Sequence, residues 1–71
     1  MEMIPINSDK ISSIGFDEST NIMRIKFRHG DTYDYIDVQS FMYESLQEST
    51  FIDLFFINMF ENKYTCQKVN P

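Results

Sequence analysis

Residues 22–37, "IMRIKFRHGDTYDYID", alternate so regularly that a β-hairpin is the one local structure that satisfies them. Met23, Ile25 and Phe27 share one face of an extended segment, and Arg24, Lys26 and Arg28 share the other. His29, Gly30 and Asp31 supply a turn, and "TYDYI" returns as the next strand. The register decides where Tyr33 and Tyr35 point. A two-residue turn at His29 and Gly30 sets Lys26 opposite Tyr33 and Arg24 opposite Tyr35, and leaves Asp34 beside Ile25 in the core. An unpaired carboxylate there is costly. A type I turn with Gly30 in the left-handed bulge position moves the pairing by one residue. Ile25 then meets Tyr33, Met23 meets Tyr35, and Arg24 meets Asp34 on the outer face as a cross-strand charge pair. The bulged turn is therefore expected, with both rings turned to the core and their hydroxyls reaching its rim.

The flanking segments complete an α+β pattern. "ISSIGFD" reads as a strand with Ile14 and Phe16 on one face, joined to the hairpin by the polar "DESTN". Val38, Met42 and Leu46 recur at helical spacing, with Asp37 as candidate N-cap. "TFIDLFFINMFENKY" reads as a second helix, with Thr50 and Asp53 in a capping-box-like arrangement. Its Ile52, Phe55, Phe56, Met59 and Phe60 form one apolar face, and Phe51, Leu54 and Ile57 form a second stripe. The expected fold is a three-stranded antiparallel β-meander followed by two α-helices packed on one face. In this single domain, residues 1–10 are an extended arm interrupted by Pro5, 11–37 the sheet, 38–64 the helices and 65–71 a tail.

Composition narrows the function. A chain of 71 residues builds a small core of marginal stability. Its lone cysteine, Cys66, makes no internal disulfide and lacks companions for structural zinc, which suits a reduced, cytoplasmic protein. The opening "MEMIPINSDK" lacks the pattern of a signal peptide, and no apolar run approaches a membrane span. Eleven acids against six bases give a net charge of −5, which disfavours nucleic acid and favours protein partners.

In order, "ISSIGFD", "MRIKF" with its glycine turn, "TYDYIDV" with a Y-x-Y centre, and "MYESL" before the last helix resemble the KTSC domain family. That family is found at the C-terminus of some lysyl-tRNA synthetases and as stand-alone bacterial proteins. The resemblance covers residues 6–69 and implies a β-sheet followed by two helices. It implies no defined function, and only the family's context suggests RNA. The chain departs from the family late. A serine and a glycine are replaced here by Phe51 and Asp53, and an asparagine and an isoleucine–arginine pair by Ile57, Phe60 and Glu61. A polar, basic helix face has become apolar and acidic, which favours a protein contact.

The candidate residues follow. Phe51, Leu54 and Ile57 are the candidate interface of a homodimer or of a contact with another protein; the alternative is cover by the tail or the first helix. Arg24, Lys26 and Arg28, with Tyr33 and Tyr35 at the edge, are the candidate RNA contacts; the alternative is a solvated outer face paired with Asp31 and Asp34. Asp31, Asp34 and Asp37 do not match a calcium loop. His29 and Cys66 lack a third orienting group for nucleophilic catalysis. No cofactor and no metal are expected, and the leading expectation is a non-enzymatic interaction module.

Overall fold

The hairpin closes in the bulged register. In the computed structural model, which describes residues 1–69, Gly30 N–H donates to the Phe27 carbonyl at 3.0 Å. Phe27 N–H donates to the Asp31 carbonyl at 2.9 Å. Gly30 has φ +115°, where a side chain would be strained. β3 (Ile22–Phe27) and β4 (Thr32–Tyr35) therefore pair Met23 with Tyr35, Arg24 with Asp34 and Ile25 with Tyr33.

β2 (Ile11–Asp17) lies on the other side of β3. It carries a bulge at Ser12, because Ile11 faces Phe27 while Ser13 already faces Lys26. The extra residue changes the phase of the strand. Ile11 and Ile14, three apart, both become fully buried. The turn into β3 is held by Asp17, whose carboxylate accepts from Ser19 N–H at 3.0 Å and Ser19 Oγ at 2.7 Å.

The sheet has five strands, not the expected three, in the antiparallel order β1-β2-β3-β4-β5. The arm contributes β1 (Ile4–Pro5), an edge strand where proline's missing N–H costs nothing. The expected tail contributes β5 (Cys66–Lys68), which pairs with β4. Both are too short to show a periodic pattern. Residues 70–71 of that tail lie outside the described residues.

Asp37 does not cap the first helix. It adopts φ +60° and turns the chain out of β4, while the buried Val38 donates its N–H to the Asn21 carbonyl at 2.9 Å. α1 (Ser40–Glu48) starts after Gln39 without a side-chain cap. α2 (Ile52–Met59) likewise starts after Phe51, not Thr50, and without a side-chain cap. Asp53 instead accepts from Ser8 Oγ and from Asp9 N–H, tying the arm to the first turn of α2. Left-handed Asn62, φ +64°, turns the chain towards β5.

Both helices cover one face of the sheet. Tyr43 and Leu46 of α1 and Phe56 and Phe60 beside them join Ile11, Ile14, Met23, Ile25, Tyr35 and Val38 in one buried cluster. Tyr43 stacks on Phe16 with centroids 5.2 Å apart. Phe56 meets Tyr35 and Phe27 edge to face, each at 5.6 Å.

The outer face is partly roofed by the arm. Gly15 lies there opposite Arg24, and a Cβ on it would sit 2.6 Å from Met3 Sδ and 2.8 Å from the Glu2 carbonyl oxygen. Gly15→Val should displace the first three residues and cost about 1–2 kcal/mol in urea unfolding. Deleting residues 1–3 should shrink that cost; an equal cost with and without them would contradict this packing.

Candidate functional site

The two apolar stripes of α2 have different environments. Phe56 and Phe60 are buried against the sheet, and Ile52 and Phe55 are partly buried. Phe51, Leu54 and Ile57 are 69%, 57% and 37% exposed. Met59, expected on the inward face, is also exposed, at 41%. Among the described residues, neither α1 nor the tail covers the second stripe. The helix carries one ionisable side chain, Asp53, whose carboxylate is held by Ser8 and Asp9. The outward stripe of Phe51, Leu54 and Ile57 is thus apolar, continuous at i, i+3 spacing and uncharged.

The cationic row is divided among separate tasks. Arg24 donates from Nε to Asp34 Oδ1 at 2.7 Å and from Nη2 to Oδ2 at 3.0 Å, a bidentate pair. The bonds to Asp34 raise the Arg24 pKa further. Arg28 donates to the Ser8 carbonyl and, at 3.1 Å, to the Ile6 carbonyl, and so straps the arm to the hairpin. Lys26 is exposed and forms no ion pair among the described residues. Tyr33 and Tyr35 stand apart from Arg24 and Lys26, while Arg28 lines the same cleft as the two rings. Their rings face the helices, with Tyr33 at 6.0 Å from Phe27 and Tyr35 at 5.6 Å from Phe56.

The tyrosines line an open cleft of about 640 Å³ between the hairpin and the end of α2. Phe27 and Phe56 continue its aromatic lining, Cys66 enters from β5, and Glu61 stands at the end of the helix. Lys10, Arg28 and His29 reach it from the sheet side. His29 stacks on Phe27 with the ring planes 3° apart and its Nδ1 lies 3.7 Å from the Asp31 carboxylate. His29 and Cys66 thus border the same cleft, with no hydrogen bond between them. The cleft was not apparent from sequence because β5 and the turn after α2 bring its wall into place.

The acidic residues do not converge. Asp34 pairs with Arg24, Asp31 lies 3.4 Å from Lys68 Nζ, and Asp37 is exposed. Among the described residues, no group of three or more histidine, cysteine or acidic side chains could hold a metal ion. No helix there is long and apolar enough to cross a membrane.

The KTSC domain family matches residues 7–64. The chain belongs to the KTSC domain family. A crystal structure of a KTSC domain protein from Yersinia pestis is similar at 28% identity, with a TM-score of 0.94 and 97% of each chain covered. Comparison with curated proteins gives no match. Membership accounts for the shared sheet-and-helix architecture and assigns no reaction to this KTSC chain.

Burial raises the pKa of Tyr35, with Cys66 and Glu61 adding to the effect, and burial raises that of Tyr43. The folded state therefore holds these protons more tightly than the unfolded state. That contribution is fully present below the ordinary phenol value of about 10 and is lost as pH rises through the folded values. An alkaline absorbance titration followed with circular dichroism should show two late phenolates appearing together with loss of the fold. Ionisation of both near the ordinary value, with the fold intact, would contradict this.

Proposed function

We propose that this KTSC domain is a non-enzymatic interaction module that self-associates as a symmetric dimer through the outward face of α2. The supporting observation is the exposed stripe of Phe51, Leu54 and Ile57 on a helix whose one ionisable side chain is already engaged. A two-fold axis across α2 sets the same stripe of each copy against the other, as a self-complementary interface requires. Apolar burial there would add to the limited core of a 71-residue chain. The exposed thiol of Cys66 suits a reducing, cytoplasmic setting.

Contact with RNA through Arg24, Lys26 and Arg28 has less support. Arg24 is neutralised by its bidentate pair with Asp34, and Tyr33 and Tyr35 stand apart from Arg24 and Lys26, so the row and the rings form no common surface. A net charge of −5 opposes it further.

Light scattering across a concentration series should show the mass rising to twice that of the chain. Leu54→Glu should remain folded and weaken dimerisation by about tenfold or more, as expected for a charge at the centre of a desolvated patch. A monomer at every accessible concentration removes the dimer. A dimer unaffected by Leu54→Glu places the interface elsewhere.

A further inference from the structure

The cleft beside the hairpin is separate from the exposed stripe of α2 and has its own chemistry. Its lining is aromatic: Phe27, Tyr33, Tyr35 and Phe56 meet there from two strands and a helix. Three of their ring contacts are edge to face, with planes 71° to 88° apart, so the rings form a stepped surface. Such a surface accepts a flat apolar group.

The charges at its mouth are distributed by wall. Lys10 and Arg28 are adjacent on the sheet side, where Arg28 N–H donates to the Lys10 carbonyl at 2.9 Å. Neither forms an ion pair among the described residues. The guanidinium of Arg28 donates to the neutral carbonyls of Ser8 and Ile6, so its charge is left uncompensated by those bonds. Glu61 stands on the helix side; Asp9, which precedes Lys10, stands on the sheet side, where Lys10 and Arg28 outnumber it. An anion is therefore favoured at the sheet end of the cleft and disfavoured at the helix end.

We propose that the cleft binds a small aromatic carboxylate. Its ring lies against Phe27 and Tyr33, the partly buried rings of the lining, and its carboxylate is directed to Lys10 and Arg28. The acids at the rim select a ligand with one localised negative group over a polyanion. This assignment does not depend on self-association of α2.

The test is a titration of the isotopically labelled full chain with phenylacetate, and separately with phenethylammonium, followed by amide NMR. It is repeated in Leu54→Glu to separate it from self-association. Phenylacetate should saturably shift the amides of Tyr33, Asn62 and Cys66, at about millimolar concentrations in keeping with its small size. Phenethylammonium should bind about fivefold more weakly, the change carried by an exposed charge contact. Lys10→Glu should reverse that order, whereas Lys26→Glu should leave it unchanged. Absence of saturable shifts, equal binding of the two probes, or shifts confined to Phe51–Ile57 would each overturn the assignment.

Discussion

The left-handed turn at Gly30 governs the arrangement of the whole domain. It sets β3 against β4 so that Ile25 meets Tyr33 and Arg24 meets Asp34. Because side chains alternate along a strand, a slip of one residue would exchange the faces of every residue on one partner. Asp34 would enter the core, and the phenols would leave it. In the observed register the carboxylate has a bidentate partner and the rings have aromatic neighbours. One backbone conformation available to glycine thereby separates a charged outer face from an apolar inner one.

The inner face is then closed largely by rings. Phe27, Tyr35, Phe56, Phe60 and Tyr64 form a connected series of contacts from the hairpin to the end of α2. Aromatic side chains bring much apolar area per residue, which matters where few residues are available for burial. The cleft is lined in part by Tyr35 and Phe56, which also build the core. Core and candidate binding surface are therefore continuous.

The arm links the outer face, the hairpin and α2. Arg28 holds its carbonyls, Asp53 holds Ser8 and Asp9, and Gly15 leaves room for Met3 and Glu2. These contacts explain two departures from local expectation. Asp53 serves the arm instead of capping its helix, and Arg28 serves the arm instead of standing free beside Arg24 and Lys26. Each bond links residues more than 15 positions apart, so local spacing carries no trace of it.

The sequence by itself determined the hairpin and its register, the order of three strands and two helices, and the surplus apolar stripe of α2. Alternation, glycine turns and helical periodicity are local, and each is encoded within a few neighbouring residues. Only tertiary structure decided the two outer strands, the uncapped helix starts, the strapped arm and the cleft. β1 and β5 exist because a neighbouring strand offers unpaired backbone groups, not because "IP" or "CQK" favours extension. The bulge at Ser12, which buries both Ile11 and Ile14, likewise follows from packing against β3. Backbone pairing across the sheet and meetings of distant side chains are cooperative properties of the assembled chain, and they settle what short segments leave open.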